Sequence, residues 1–558
     1  MLDPVVLALT QKRLDHISHQ MGWVMIRTSN SPIFNQSHDF SCFLANSTGE
    51  VISQADGIPI HTGGGGFAVR AMLRDFGARI EPGDLFILND PYVAGGNHLP
   101  DWVVIRPAFV DGRVFAFTCI RAHQSDIGGG AAGTYNSAAT EIFHEGIRLP
   151  VMRLVERGEV RTDLWQMLMI NSRTPHLLDG DLRAMLGGTQ VGAEQIVKLV
   201  EDIGPEVAGA YFSEILDHAD RRLRAIVAEV PDGVYVAQEC YEDDCFEEKM
   251  IPIRVSLTVK GDRLAVDFSG SAPQIKGFKN STLANTHSAV YTAVASFFDA
   301  NMPRNEGAFR SIEINAPLGT VINARPPAAC TFCTSNPAHQ IIQAVWRALG
   351  EAVPDNSCAG WGNKAFPVTS GYDDSKRTFV LYHWGANSGG GAVAGRDGLN
   401  QIGPLETLGG LIIPNVEAYE QMYPVRVLKQ EFRCDSGGAG KYRGGTGVHY
   451  IADLLVPADY AFRAEGVLRP KANGVNGGLG GGMGKVEVHI AGGESFVPPT
   501  YAVTNLPPLR LEIRSPGGGG WGEPRDRDQQ KVIDDVRDGL VSPSEALRIY
   551  GLVSTTAE

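Results

Sequence analysis

Residues 95–130 read GGNHLPDWVVIRPAFVDGRVFAFTCIRAHQSDIGGG. Asp111-Gly112 stands between two apolar runs, WVVIRPAFV and RVFAFTCIR. This is the strongest short-range hairpin signal a sequence offers, because both central residues of a type I′ turn take positive φ. If Val110 faces Arg113, then Asp101 faces Ala122, Pro100 faces His123 and His98 faces Ser125. Two His-x-x-Asp pairs, His98 with Asp101 and His123 with Asp126, therefore arrive at one open end of the hairpin. Strict pleating would turn Asp101 and His123 to opposite faces. Their convergence requires the ladder to break there, and Pro100 is a residue that cannot continue it.

Two imidazoles and one or two carboxylates at a strand end, with glycine-rich loops on either side, suit a divalent metal. His98, Asp101 and His123 form a two-His, one-carboxylate set that leaves positions open for water or substrate. Any one of the four residues would ordinarily cap a loop or accept backbone N–H bonds; the set as a whole is better explained by a metal. Asp39 in SHDFS and Asp90 in ILNDPY are further carboxylates at the edges of apolar strands, although Asp before Pro is ordinary turn chemistry. His61 and His144 are lone histidines, more often structural than functional, and either could serve as an acid or base near the site. No Gly-x-Ser-x-Gly elbow advertises a nucleophile.

The rest of the chain limits the alternatives. Its 558 residues are too many for one simple core and predict two to four compact units. The net charge is −14 and no basic run could follow a phosphate backbone, which argues against nucleic acid as a partner. The N-terminal stretch starts with an acid rather than a basic region, and predicts an amphipathic helix with Asp3 as N-cap and Pro4 at the first helical position. No apolar run has the length of a membrane span, so a soluble cytoplasmic protein is expected. The eight cysteines are scattered and read as free thiols. Cys330 and Cys333 form a single C-x-x-C, which without a second pair reads as coincidence rather than a zinc site.

Glycine clusters at 63–66, 128–130, 389–391, 477–484 and 517–520 fall between strand-like or helix-like runs. They read as loops whose backbone packs tightly against something. None fits a phosphate-binding loop or a dinucleotide fingerprint. A hairpin is expected in DFSCFLANSTGEVISQA and a short buried strand in GDLFILND. Helical periodicity follows through 160–229, strands return from 231, and helices follow at THSAVYTAVASFFDAN and AHQIIQAVWRALGEAV. The expected class is α+β, with helices inserted between β-rich portions. The expected divisions are 1–155 with the metal-binding hairpin, a helical 156–230, an α+β 231–420, a β-rich 421–525 and a helical tail 526–558.

With SPIFNQSHDFSCFLAN, NDPYVAGGNHLPDWVVIRP, RAHQSDIGGGAAGTY, EIFHEGIRLP, GGAGKYRGGTG and SPGGGGWGEPRDRD in view, the chain resembles the hydantoinase B/oxoprolinase family over nearly its whole length. The resemblance implies an ATP-dependent hydrolase of cyclic amides such as hydantoins, oxoproline or lactams. A companion A-type subunit would bind ATP and phosphorylate the substrate, so a hetero-oligomer is expected, and this explains why the chain carries no phosphate loop. The resemblance also implies a divalent metal (Zn, Mn or Fe) on His98, Asp101 and His123, with Asp39 as a fourth ligand. Asp126 or His144 would act as general base or orient the reactants. A ketone carboxylase and a noncatalytic scaffold for the ATPase subunit are the two alternatives. Asn97, Gln124-Ser125 and AAGTYNSAA depart from the family's usual residues, which bears on substrate identity.

Overall fold

The structure, a computed structural model, describes residues 2–54, 57–298 and 301–552. Three expected segments run onto residues outside this range: the end of the first hairpin at 55, the end of the THSAVYTAVASFFDAN helix at 299–300, and the tail beyond 552. The fold is α+β, as expected. A seven-stranded sheet has the order β2-β1-β5-β4-β3-β6-β7. Its strands are β1 (Phe40–Asn46), β2 (Val51–Gln54), β3 (Leu85–Leu88), β4 (Asp101–Val110), β5 (Arg113–His123), β6 (Met152–Glu156) and β7 (Glu159–Val160). A second sheet is formed by β8 (Gly233–Asp243), β9 (Glu248–Lys260), β10 (Arg263–Asp267) and β11 (Ile312–Asn315).

Two further sheets interleave in sequence. One joins β12 (Val368–Tyr372) and β13 (Thr378–Tyr382) to strands far along the chain, and the other is built wholly from the last third. The strands are β14 (Val425–Phe432), β15 (Val448–Leu454), β16 (Ala458–Arg463), β17 (Lys485–Ile490), β18 (Ser495–Phe496), β19 (Tyr501–Leu506) and β20 (Leu509–Arg514). β12 lies between β13 and β16, and β19 closes that sheet.

The first sheet is buried on both faces. Trp102, Val104 and Ile120 face the side covered by helices Pro4–Thr28 and Pro175–Ile203, which present Leu14, Ile17 and Met21, and Leu182, Met185 and Ile196. Val103, Ile105, Phe117 and Cys119 face helix Gly65–Phe76 through Val69 and Met72. Period-2 alternation on the strands meets period-3.6 spacing on the helices, so each element buries its apolar positions. The first helix starts as its sequence dictates: Asp3 Oδ1 accepts the Val5 N–H at 2.8 Å and Pro4 occupies the first turn.

The central hairpin turns at Asp111-Gly112, with φ of 49° and 72°, and Val110 faces Arg113. The register then changes. Phe109 pairs with Val114 but Ala108 pairs with Ala116, so Phe115 is an extra residue, a β-bulge. Beyond it every partner is displaced by one: Trp102 faces Ala122 and Asp101 faces His123. The expected pairing of Pro100 with His123 is corrected by this bulge. Asp101 and His123 share a face because the ladder slips eight residues before them, and Pro100 ends the strand just outside it.

The glycine clusters pack against one another. Gly518 N donates to Gly445 O, Gly438 N to Gly518 O and Gly445 N to Gly390 O, so three loops form a backbone-on-backbone layer. A Cβ on Gly518 would lie 2.0 Å from Gly390 O, and one on Gly444 2.0 Å from Gly518 O. Side chains are excluded there by contact distance.

Candidate functional site

Three strand ends meet at one level of the first sheet. His123 closes β5, Asp101 opens β4, and Asp39 precedes β1, its carbonyl accepting the His123 N–H at 3.1 Å. His98, three residues before Asp101, folds its ring back over it. His98 Nε2 lies 2.7 Å from Asp101 Oδ1 and His123 Nδ1 lies 3.1 Å from the same oxygen. One ligand atom from each of these three buried residues falls within 4.8 Å of the others, the spacing of a single cation's ligands.

The far nitrogen of each imidazole is held by the protein. His98 Nδ1–H donates to the Thr331 carbonyl at 2.5 Å. His123 Nε2–H donates to the Tyr382 hydroxyl at 3.1 Å, and that hydroxyl donates to the Gly133 carbonyl at 3.1 Å. A carbonyl can only accept, so the direction of both chains is fixed. In the neutral rings the remaining lone pairs point toward Asp101, which is how proteins orient metal-binding histidines. His98 Nε2 and Asp101 Oδ2 are fully buried without an aligned hydrogen bond among the described residues. Buried polar atoms in that state are costly unless a further partner is bound, so the donor set fits a divalent cation.

Without a cation, protons on the imidazoles would take its place beside Asp101. Burial works to raise the Asp101 pKa, but the charges on His98 and His61 and the imidazole hydrogen bonds outweigh it and hold the carboxyl well below its usual range. Burial opposes charge on His98, yet Asp101 and the Thr331 carbonyl leave its pKa raised.

His61, read from sequence as a lone histidine, belongs to this cluster. Its Nε2 lies 3.3 Å from Asp101 Oδ2 and 3.7 Å from Asp39 Oδ1. Burial lowers its pKa. The buried Arg121 fixes its backbone, donating to the His61 carbonyl at 2.5 Å and to Asn97 Oδ1 at 2.9 Å. Asn97 is therefore part of the frame behind the cluster, whereas Gln124 turns away and reaches Met185 Sδ.

The other expected residues lie elsewhere. Asp126 is buried but its carboxylate is taken by Arg173, through the guanidinium at 2.8 Å and the backbone N–H at 2.6 Å. His144 is exposed on the turn Ile142–His144, where its Nδ1 accepts the Thr140 N–H at 3.3 Å. Neither is among the residues whose ligand atoms cluster at His98, Asp101 and His123. Asp90 is paired with Arg148 at 2.6 Å. The neighbour of His144, Glu145, is the buried one: it accepts N–H bonds from Cys330 and Thr331, and burial nevertheless pushes its pKa up to about 7. Cys330 and Cys333 are free buried thiols on the short turn that delivers the Thr331 carbonyl to His98. That turn has a positional use which the C-x-x-C spacing does not announce.

The family model for hydantoinase B/oxoprolinase matches residues 3–524. Caprolactamase subunit beta of Pseudomonas jessenii is 33% identical over 99% of this chain and 96% of its own length. 5-Oxoprolinase of Saccharomyces cerevisiae is 27% identical, and the match covers 94% of this chain but 42% of that longer protein. The crystal structure of ATP-dependent caprolactamase from P. jessenii superposes with a TM-score of 0.91 at 32% identity, over 100% of this chain and 98% of that one. A nucleotide-free acetone carboxylase shares the fold, with a TM-score of 0.87 at 21% identity, over 98% of this chain and 79% of that one. The chain belongs to the hydantoinase B/oxoprolinase family.

Proposed function

We propose that this chain is the metal-bearing subunit of an ATP-dependent cyclic amide hydrolase, with His98, Asp101 and His123 as the cation's ligands and Asp39 beside them. The observation that carries the reading is the pair of imidazoles whose outer nitrogens are tied to Thr331 and Tyr382 while their inner nitrogens converge on Asp101. A divalent cation held there would supply Lewis acidity toward water or the amide oxygen. The chain's own residues set the geometry: Tyr382 and Thr331 fix the tautomers, Arg121 and Asn97 hold the backbone around His61, and Arg173 anchors Asp126 so that the glycine-rich loop after it is fixed. His61, buried between two carboxylates, is the candidate for moving a proton at its Nε2.

The similarity to caprolactamase subunit beta supports a lactam or related ring as substrate, and a separate subunit as the ATP-using partner. Phosphorylation of the amide oxygen in that partner would make the carbon electrophilic before water attacks. Pre-activation and a Lewis acid together divide a barrier that uncatalysed amide hydrolysis crosses very slowly.

The test is metal analysis of the purified chain, followed by turnover of lactams and hydantoins by the chain co-purified with its partner. Near-stoichiometric Zn, Mn or Fe is expected. His123→Ala is expected to lose metal and activity while keeping its circular dichroism spectrum and its partner. Full metal content in His123→Ala would sink the ligand assignment, and turnover that requires bicarbonate would make the enzyme a carboxylase instead.

A further inference from the structure

The stretch 327–331 ends at the carbonyl that holds His98, and its backbone is tied to other parts of the chain almost residue by residue. Pro327 O accepts the Ile142 N–H at 2.7 Å, Ala328 O the Tyr92 hydroxyl at 2.6 Å and Ala329 O the Asn280 Nδ2–H at 3.0 Å. The next two N–H groups both go to Glu145. Its Oε1 accepts from Cys330 at 2.9 Å and from Thr331 at 2.7 Å, and its Oε2 lies 3.0 Å from the Cys330 nitrogen. Thr331 O in turn accepts from His98 Nδ1 at 2.5 Å. A single residue therefore links the carboxylate to the imidazole: the Thr331 N–H is held by Glu145 and its C=O holds His98.

Other buried carboxylates nearby are neutralised by arginines, Asp84 by Arg153, Asp90 by Arg148 and Asp126 by Arg173. Glu145 is equally buried, yet among the described residues no Lys or Arg pairs with it, and the charge on His98 favours its ionised form. A carboxylate without a cation is costly to bury unless its oxygens are satisfied. Its bonds to backbone N–H groups are charge-assisted and stronger than neutral ones, so it is a firm anchor for a short turn. The turn Thr331–Thr334 has no side-chain cap of its own.

We propose that Glu145 is a positioning residue for the candidate metal centre, fixing the Thr331 carbonyl and through it the tautomer and direction of the His98 ring. The inference rests on the metal-bearing reading for its use, since a ring held at Nδ1 presents Nε2 to a cation. Asp181 supplies a control, because it is the same device in another place. It is a buried carboxylate whose Oδ1 accepts two consecutive N–H groups, of Asn30 and Ser31, both at 2.9 Å.

The experiment compares Glu145→Ala, Glu145→Asp, Glu145→Gln and Asp181→Ala in the full chain, with urea unfolding of each. One readout is Zn affinity, by competition with a chromophoric chelator. The other is the His98 imidazole N–H signal in isotope-labelled histidine NMR of the metal-stripped chain, assigned by its absence from His98→Gln. Glu145→Ala is expected to weaken Zn binding about tenfold, the lower end for a residue that orients a ligand, and to shift the His98 signal or lose it to solvent exchange. Glu145→Gln, whose Oε1 still accepts both N–H groups, should stay close to wild type in both. Asp181→Ala should lose urea stability and leave both readouts unchanged. An unmoved His98 signal in Glu145→Ala, or the same shift in Asp181→Ala, would overturn the proposal and leave Glu145 a structural clamp. If Glu145→Ala fails to fold by circular dichroism, Glu145→Asp, which keeps the charge and loses the reach, carries the same expectation. A wild-type chain that takes up no metal removes the metal-bearing reading, while the N–H signal, read without metal, still decides Glu145. Zn uptake with an unmoved signal does the reverse.

Discussion

Tyr382→Phe tests the site through a residue that sequence reasoning did not single out. The tyrosine ring is packed, stacking on Trp384 at 5.3 Å between centroids and 10° from parallel, so phenylalanine fills the same volume. Only the hydroxyl is removed, and with it two hydrogen bonds of 3.1 Å, one from His123 Nε2 and one to the Gly133 carbonyl. At about 1 kcal/mol net for each buried hydrogen bond, folding stability should fall by about 2 kcal/mol. The larger signature is in the metal. Loss of the group that orients a ligating histidine typically weakens metal binding by about 10–100-fold, or about 1.4–2.8 kcal/mol. The assay is competition with a chromophoric chelator at fixed pH, with urea unfolding of the metal-stripped chain measured beside it. Metal affinity within twofold of wild type, in a variant that has lost the stability, would show that Tyr382 is only a packing residue and that His123 is not held for a cation.

Asp181 gives a pH test away from the site. Its Oδ1 accepts the N–H groups of Asn30 and Ser31, both at 2.9 Å, and burial raises its pKa to about 6. The folded state therefore holds the proton longer than the unfolded chain, so this contribution is present below pH 4 and is lost as pH rises toward 6. At roughly 1.4 kcal/mol per pH unit the loss is about 3 kcal/mol. Asp181→Asn keeps the acceptor, and its stability relative to wild type should rise across that window; a constant difference from pH 4 to 7 would refute the assignment. Gly518→Ala should cost more than about 3 kcal/mol or give insoluble protein, because its methyl group meets Gly390 O at 2.0 Å; wild-type urea stability would contradict the packed glycine layer.

Much of this molecule is legible in the order of its residues. Asp-Gly between two apolar runs specifies the hairpin by turn chemistry alone, and the periodicities of 162–227 specify three helices, since both signals are local. His98, Asp101 and His123 could be singled out because a metal needs soft and hard donors close together, and the hairpin brings them near each other in the chain. Their convergence was decided elsewhere. The bulge at Phe115 that turns Asp101 and His123 to one face is made by an apolar residue among apolar residues, so nothing in its identity marks it. The sheet selects it, because β5 must satisfy β1 and β4 at once. His61, Thr331 and Tyr382 are contributed from segments up to hundreds of residues away, and Asp126 and His144 are drawn off by Arg173 and by an exposed turn. The sequence by itself determined which short elements form and which donors the central hairpin carries, because turn geometry and side-chain period act over a few residues. Only the tertiary structure decided which imidazole nitrogens are tied and which carboxylates face them, because those depend on partners that meet only when distant strands pack.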